Sequence, residues 1–372
     1  GAAQGRAVRH YLEALESASP ENLRLADQLG LTGSARWRHV EWPVMRPMLP
    51  RLAALIFLLC AASFVVVLTL GGPAATTLEV AIYQSLRMDF DVSRAVTLAL
   101  LQAALCLVLV AFAGQLAAPS PAVARVRLLP PTRERMGAWG IVMLVLAVIL
   151  VLPPLAALAA SGVQSFVLRP VLYQALATSL LVATLSACLS MLLAWPLASL
   201  QVRAIRWRGF FASVSLLGLI LPPAVLATGW FILLRGSSPG TTSSMILISF
   251  LNALMALPFS MTLLVSVLAA QVLPQDRPCK QLGLSGWTRF RLIDRPALVR
   301  PLAQAFLVAF ILSFGDLTAV MMLGSQGVVT LPALIAAEMG QYRSVSAQGT
   351  ALLLAGLCLV GTLAANKVGR TA

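Results

Sequence analysis

The chain has 372 residues, enough for two or three soluble domains, but 59% of them are hydrophobic and only 11% are charged, against about 25% charged in ordinary soluble domains. Several uncharged apolar runs exceed the roughly 18–20 residues that a helix needs to cross a bilayer. The sequence therefore predicts an all-α polytopic membrane protein. Its net charge of +14 would indicate nucleic-acid binding in a soluble protein, but here the basic residues lie in loops, so we predict a lipid bilayer and no nucleic acid as partner.

Eight apolar runs predict about eight transmembrane helices. Residues 1–49 are polar with helical spacing, residues 72–94 form a connector in which 76–86 has the pattern of a short amphipathic helix, and residues 118–135 are rich in Pro and Arg, as in a linker. The predicted spans are about 50–71, 95–117, 137–160, 175–200, 211–234, 244–270, 301–322 and 346–365. Two spans thus precede the linker and six follow it.

The distribution of Lys and Arg between alternate loops predicts the orientation of these spans. One side carries 22 of the 27 basic residues, including those of the linker and of the 271–300 loop. The other side carries Arg87, Arg94, Arg169, Arg235 and Arg343. Because cytoplasmic loops hold the excess of basic residues, the linker and the 271–300 loop are predicted to lie in the cytoplasm.

A polar stretch occurs twice in the chain at a constant offset of 253 residues. It runs over 24–43 and again over 277–296, and nine of its positions are identical in the two copies. The offset continues without a gap, so that Leu70-Gly71 matches Leu323-Gly324. Such an internal repeat fixes the architecture, and it indicates that the chain arose by duplication.

The repeat predicts a division of the chain into two halves. Residues 1–117 are the last part of a first half with its loop, residues 118–135 are a cytoplasmic linker, and residues 136–372 are a second half with its own loop at 271–300. If the halves are equivalent, about four further spans precede the first residue of this sequence in the intact protein. We therefore expect the sequence to be an N-terminally truncated piece.

The spacing around Gly30 and Gly283 resembles the EAA loop of permeases of binding-protein-dependent ABC importers. That motif reads Glu-Ala-Ala, three residues, Gly, nine residues, Ile, one residue, Leu-Pro. The positions that fall on its Ile and Pro are Val40 and Pro43 in the first copy, and Ile293 and Pro296 in the second. A spacing kept across fourteen residues in two cytoplasmic loops is a specific signal of this family.

The first turn of each copy departs from the motif. Arg24 and Arg277 stand where the motif has Glu, and Ala26 keeps an alanine whose counterpart is Cys279. These departures weaken what the resemblance implies for single residues of that turn. The spacing from the glycine onward is unaffected.

The physical character of the repeated stretch suits a rigid cytoplasmic knob, with a short helix, a glycine turn that tolerates positive φ, and a second amphipathic piece ending at proline. In the family this knob is the coupling helix that docks on the ATP-hydrolysing subunit. Arg36 with Trp37, and Arg289 with Phe290, would offer that subunit charge and an aromatic anchor. The alternative is that these arginines only set the membrane topology.

The resemblance implies that ATP and Mg²⁺ are bound by a separate chain. The sequence contains no Gly-x-x-x-x-Gly-Lys-Ser/Thr phosphate-binding motif. We therefore predict a transport subunit that is not itself an enzyme, that binds no cofactor, and that works with a cytoplasmic ATPase dimer.

Two loops in one polypeptide narrow the resemblance to the fused two-half permeases of thiamine and ferric-iron importers, with the thiamine permeases closest. The stretches that carry it are 67–84, 221–231, 312–316 and 340–344. It implies the type I ABC importer permease fold in the bacterial inner membrane, a periplasmic binding protein as a further partner, and thiamine or its phosphates as substrate. Ferric iron is the alternative substrate.

Asp316 is a candidate for the translocation path, because it is the one acidic residue well inside an apolar run. An intramembrane acid is by default a functional candidate, and a carboxylate would suit a cationic substrate such as thiamine. The alternative is a carboxylate that only accepts hydrogen bonds from neighbouring helices or lies near the outer interface.

Pro222, Pro223 and Trp230 are further candidates for the path. The two prolines remove backbone donors from the predicted span at 211–234, which indicates either a gating hinge or a fixed kink. Trp230, with Phe231 beside it, would stack on a ring of thiamine or simply pack in the core.

Two other function classes remain as alternatives. A membrane enzyme would need a catalytic or metal-binding constellation, and no carboxylate pair, Ser/His/Asp set or Cys/His cluster falls in a plausible site of the sequence, so we predict no catalytic and no metal-binding residues. A secondary transporter would need ionisable groups within the membrane for ion coupling, and Asp316 is the single candidate. Co-purification of an ATPase subunit would discriminate between these classes.

Overall fold

The computed structural model describes residues 35, 38–39, 42–46, 49–71, 76–116, 138–165, 167, 169–234, 240–283, 286–324 and 327–370. Within these residues every regular element is a helix. The α-helices are α1 Trp42–Met45, α2 Leu49–Ala61, α3 Phe64–Leu70, α4 Leu78–Arg87, α5 Val92–Leu116, α6 Ala138–Ser165, α7 Pro170–Arg203, α8 Arg208–Ile220, α9 Pro223–Leu233, α10 Thr241–Val267, α11 Asp276–Gln281, α12 Gly286–Arg289, α13 Arg295–Phe314, α14 Thr318–Leu323, α15 Leu331–Gly340 and α16 Ser344–Arg370.

The chain forms two compact units. One unit consists of residues 1–63 and 104–156, and the other of residues 64–103 and 157–372. The second unit contains α3, α4 and α7 to α16 in full, and the packing described below lies within it. The predicted linker at 118–135 lies outside the described residues, so the predicted division into halves stays a prediction.

Six helices of the described residues are long and apolar enough to cross a membrane. They are Val92–Phe112, Ile141–Ser165, Pro170–Arg203, Thr241–Gln275, Gly286–Phe314 and Ser344–Gly369. These six helices correspond to six of the eight predicted spans. The chain is a multi-pass, all-α membrane protein, as its composition predicts.

The other two predicted spans are each interrupted. The apolar run at 50–71 is divided into α2 and α3 at residues 62–63, and the run at 211–234 is divided into α8 and α9 at residues 221–222. The second break has a clear cause, since Pro222 has no backbone N–H and its ψ of 148° is far from the helical value. The prediction of about eight spans thus corresponds to six continuous membrane-length helices and two interrupted runs among the described residues.

The duplication is visible in the bounds of the helices. The offset of 253 residues relates α4 to α15 at both ends, and it relates α5 to α16 to within one residue at each end. Thr77 before α4 and Thr330 before α15 are both in the extended conformation. The break at Ser63 likewise matches the break at Asp316. Both copies thus consist of an apolar helix, a break, two short helices and a membrane-length helix.

Helices α7, α10 and α13 pack closely on one another through small residues. Lipid tails are as apolar as Leu side chains, so helices associate in a membrane largely through close packing and hydrogen bonds between them. The small residues that these helices bury include Ala183, Ser186, Ala187, Ser190 and Ala194 of α7, Ser249, Ala253, Ala256 and Ser260 of α10, and Ala305, Ala309 and Ser313 of α13. Their side chains leave room for the backbones to approach.

Buried hydrogen bonds hold these three helices together. Asn252 Nδ2 of α10 donates to Ser313 Oγ of α13 at 2.9 Å, and that hydroxyl donates to Ser186 Oγ of α7 at 2.9 Å. The hydroxyls of Ser190 and Ser260 share a further hydrogen bond of 3.1 Å between α7 and α10. Such bonds between membrane helices contribute about 0.6 kcal/mol each, and they also fix the relative register of the helices.

Replacing Gly218 by Ala is expected to destabilise the crossing of α8 and α10. A Cβ atom at this position would lie 2.2 Å from the carbonyl oxygen of Leu254, and a backbone oxygen inside a helix cannot rotate away. Overpacking of this kind costs about 1–3 kcal/mol. The thermal unfolding midpoint of the purified full-length permease in detergent should therefore fall.

Gly356→Ala is the matched control for this measurement. A Cβ atom at Gly356 of α16 meets no atom within 4 Å, and Ala is favoured over Gly inside a helix by about 1 kcal/mol. The control should keep or raise the midpoint. A midpoint for G218A that equals that of the control would show that the two helices do not approach this closely.

Candidate coupling loop and transport path

The second copy of the repeated loop forms a knob at the ends of two long helices. Helical turns continue beyond α10 as far as Gln275, which makes 35 residues in all, or about 52 Å at 1.5 Å per residue. This exceeds the roughly 30 Å of the apolar core of a bilayer, so the helix carries the loop clear of the membrane. After α11 the chain reverses at Gly283, and α12 leads through a π-helical turn into α13.

Two glycines make the turn possible. Gly283 has a φ of +68° and Gly286 a φ of +57°, a left-handed conformation that other residues rarely adopt. A Cβ atom added at Gly283 would meet no atom within 4 Å. The requirement for glycine is therefore set by the backbone conformation and not by crowding. The predicted short helix and positive-φ glycine turn are confirmed.

The end of the loop differs from the prediction. The second piece was expected to end at Pro296, with the next membrane span beginning near residue 301. Instead α13 begins at Arg295 and has Pro296 in its first turn, where the N–H that proline lacks would have no partner within the helix anyway. Pro296 thus marks the start of the membrane helix, and its side chain is exposed.

Arg289 belongs to an ion network inside the knob. Its guanidinium contacts a carboxylate oxygen of Asp276 through Nη2, and its Nε lies 3.5 Å from Asp294 Oδ1. Asp276 also lies 4.0 Å from Nη1 of Arg203, the last residue of α7. Since only 13% of the Arg289 side chain is exposed, this arginine is turned into the loop. Arg289 links two parts of the loop, α11 and the π-helical turn, and through Asp276 it connects the loop to the membrane helix α7.

The exposed surface of the knob includes large apolar side chains. Leu282 and Trp287 are each 74% exposed and Leu292 is 61% exposed, and large exposed apolar side chains mark interaction sites. Sequence reasoning missed these residues in favour of the arginines. One signal was available for Leu282, which is identical to its counterpart Leu29 in the first copy. Cys279, at the place of a motif alanine, is 1% exposed and packs inward as a small residue.

Several of the predicted loop residues lie outside the residues that the structure describes. They are Arg24, Ala26, Gly30, Arg36, Trp37 and Val40 of the first copy, together with the side chains of Arg277 and Phe290. Pro43 is exposed within α1, and Ile293 is half-buried in the π-helical turn. The docking roles of all these residues stay predictions.

The predicted path residues lie on elements that meet in the second unit. Pro222 and Pro223 begin α9, which packs against both α4 and α14. Arg87 of α4 donates from Nε to the carbonyl oxygen of Met322 at 3.0 Å and from Nη2 to that of Gly324 at 2.9 Å. The structure thus joins α4, α9 and α14 in one cluster, which we call the three-helix junction.

Trp230 lies beside this junction. Its ring meets that of Phe250 edge to face at a centroid distance of 5.8 Å, and it packs against the buried cluster that contains Val80, Ala224 and Val320. Trp230 is half-buried. Trp230 therefore packs in part against the core, and its role in the path stays a prediction.

Asp316 lies in the break between α13 and α14 and not inside a continuous helix. Its carboxylate accepts hydrogen bonds from the N–H groups of Thr318 at 3.3 Å and Ala319 at 3.0 Å. These bonds satisfy donors at the start of α14, and the residue is half-buried. Asp316 therefore has a local structural role at the junction.

Asp316 is the one acid well inside a predicted apolar run, but two acids outside those runs are also buried. Glu338 is 5% exposed, and its carboxylate contacts Arg169 Nη1 at 2.8 Å as well as two hydroxyl groups. Glu79 is fully buried, and neither of its carboxylate oxygens has a hydrogen-bond partner in the described residues. Glu79 had been placed in a connector between spans, where an acid is unremarkable.

Comparison with known proteins gives the family. No family model matches the chain. It is 39% identical over 372 residues to the thiamine transport system permease protein ThiP of Brucella abortus, covering 97% of this chain and 68% of that protein. The proteins of the same name from Escherichia coli and Haemophilus influenzae are 40% and 34% identical over 367 residues, covering 95% of this chain and 68% of each relative. The chain therefore belongs to the family of thiamine transport system permease proteins.

Proposed function

We propose that this chain forms the path along which thiamine, or one of its phosphates, crosses the bacterial inner membrane in an ATP-driven importer. The observation that carries the proposal is the identity of 34–40% with permeases named for thiamine transport, which extends over at least 95% of the chain. None of these relatives is named for iron. Ferric iron therefore remains only as an outcome of the test below.

The coupling of transport to ATP hydrolysis is assigned to the two repeated loops. The knob of the second loop offers Leu282, Trp287 and Leu292 as an apolar contact surface, and its internal ion network keeps that surface in one conformation. A groove of a separate ATPase dimer is the partner that this surface fits, with ATP and Mg²⁺ bound there. A periplasmic binding protein delivers the substrate at the opposite face.

The mechanism is a switch between two conformations. ATP binding closes the ATPase dimer, the knobs move with it, and the attached helices open the path to the periplasm, where the binding protein releases its ligand. Hydrolysis returns the path to the inward-facing state. This chain performs no covalent chemistry, so its part is the difference in stability between the two conformations in the presence and absence of its partners.

The full-length permease with its ATPase in liposomes tests this proposal. We expect ATP hydrolysis to be stimulated by a thiamine-loaded binding protein and not by an iron-loaded one, because the loaded binding protein favours the outward-open conformation. Stimulation by the iron-loaded protein alone would keep the coupling mechanism and overturn the substrate. The absence of stimulation by either would contradict the importer assignment.

A further inference from the structure

Glu79 is the starting point, because it is a buried acid that the mechanism above does not use. It lies in the first turn of α4 and has a relative exposure of 0%. The N–H of Ala224, in the first turn of α9, approaches its carboxylate without completing a hydrogen bond of ordinary distance and angle. A buried carboxylate with no partner is strongly disfavoured unless something supplies a compensating charge or proton.

The surroundings of Glu79 add negative charge. The carboxylate of Asp316 lies close enough to act electrostatically on that of Glu79 and has the same sign. Arg87, the basic residue of the same helix, gives its Nε and Nη2 donors to the carbonyl oxygens of Met322 and Gly324. It also lies eight residues further along α4, or about 12 Å at 1.5 Å per residue. The acidic pair therefore lacks a resident counter-ion among the described residues.

The pair joins the two halves of the permease. Glu79 belongs to the first copy of the repeat and Asp316 to the second, and they meet where α4, α9 and α14 form the three-helix junction. Asp316 is half-buried and Glu79 is fully buried. A relative movement of the halves, which the coupling mechanism requires, would change the access to both carboxylates.

An aromatic residue packs against the same helix junction. Trp230 of α9 packs against the cluster that contains Val80, the residue after Glu79, and Ala319, to which Asp316 is hydrogen-bonded. Carboxylates together with the face of a tryptophan ring are the groups that recognise organic cations, which carry a diffuse positive charge and little capacity for hydrogen bonding.

We propose that Glu79 and Asp316, with Trp230, form a binding site for the positively charged ring of the transported molecule, closed in this conformation and opened when the two halves separate. This inference rests on the proposed function, since thiamine contains a quaternary thiazolium ring. It adds a substrate-binding residue, Glu79, that the sequence motifs do not indicate. It also gives Asp316 a partner in the other half.

The test compares Glu79→Gln with Glu79→Asp in the full-length permease, reconstituted with its ATPase and thiamine-binding protein. Gln keeps the size of the side chain and removes the charge, whereas Asp keeps the charge and shortens the side chain. We expect E79Q to reduce the initial rate of radiolabelled thiamine uptake by about tenfold or more, and E79D to retain more uptake than E79Q. Stimulation of ATP hydrolysis by the loaded binding protein should persist in both variants.

A stability measurement separates this role from a structural one. Because neither carboxylate oxygen of Glu79 has a hydrogen-bond partner among the described residues, E79Q should unfold at the same temperature as the wild type or at a higher one. A residue that only fills the core would give the opposite order, with Gln tolerated better than Asp.

Three outcomes decide the proposal. Loss of uptake in E79Q with an unchanged or raised unfolding midpoint supports it. Uptake by E79Q within twofold of the wild type, or better uptake by E79Q than by E79D, overturns the inference and leaves the proposed function intact. Failure of the wild-type permease itself to take up thiamine overturns the proposed function, and the inference with it.

Discussion

Replacing Gly283 by Val is expected to uncouple ATP hydrolysis from uptake. The φ of +68° at this residue is disfavoured for any residue with a Cβ atom by about 1–2 kcal/mol, and more strongly for a β-branched side chain. Since nothing lies within 4 Å of the added Cβ atom, the strain is relieved by a change of the turn itself. That change would displace Leu282 and Trp287, which form the contact surface of the knob.

The expected loss of coupling can be sized from this backbone preference. A distortion of 1–2 kcal/mol corresponds to a factor of roughly 5–30 in the population of the native turn, and the number of thiamine molecules transported per ATP should fall by about that factor. The measurement is thiamine uptake and ATP hydrolysis in the same liposomes. Gly283→Asn should be less harmful than Gly283→Val, because Asn tolerates positive φ.

Gly209→Val is the matched control for the turn variant. Gly209 lies in the first turn of α8 without a positive φ, and a Cβ atom there also meets nothing within 4 Å. Its replacement should leave the transport ratio near that of the wild type. Normal coupling in G283V, or equal losses in G283V and G209V, would contradict the assignment of this loop as the coupling element.

The duplicated architecture was predictable because the repeat contains no gap. Because the offset is constant, the hydrophobic pattern and the turn residues recur at matching positions in both copies. Helices α4 and α15 therefore begin and end at corresponding residues. The break at Ser63 shows what hydropathy alone conceals. The run at 50–71 is largely apolar, and its counterpart, where Gly315-Asp316 interrupts the second copy, is the clearest indication that the helix stops there.

Glu79 shows why the site was harder to predict than the fold. Glu79, Ile82, Tyr83 and Leu86 are spaced i, i+3, i+4 and i+7, and all four are buried, so the helical pattern did mark the acid as part of the inward face. The sequence does not reveal what covers that face. Here it is covered by α9 and α14, which follow more than 130 residues later in the chain, and such long-range packing leaves no local signal.

Replacing Arg289 by Met is expected to impair coupling although the side chain is nearly hidden. The variant leaves Asp276 and Asp294, which are 27% and 14% exposed, without the cation that holds α11 and the π-helical turn together. The loss of such charged hydrogen bonds costs about 1–3 kcal/mol. Arg203 does not compensate, because it lies 4.0 Å from Asp276 and is 48% exposed, and an ion pair of this kind contributes only about 0–1 kcal/mol.

Arg291→Met separates this explanation from two alternatives, namely that the loop arginines set the membrane topology or that they contact the ATPase directly. Arg291 is exposed, and both variants remove one positive charge from the same cytoplasmic loop, so an effect on membrane topology would be equal in the two. If arginine acts by direct contact with the ATPase, the exposed residue should matter more. If Arg289 organises the knob from within, R289M should lower the transport ratio by about tenfold while R291M stays within twofold of the wild type.

Arg289→Lys should remain impaired, because an ammonium group keeps the charge without the planar fork that contacts both carboxylates. A ratio for R291M as low as that for R289M would show instead that the loop arginines act at its surface.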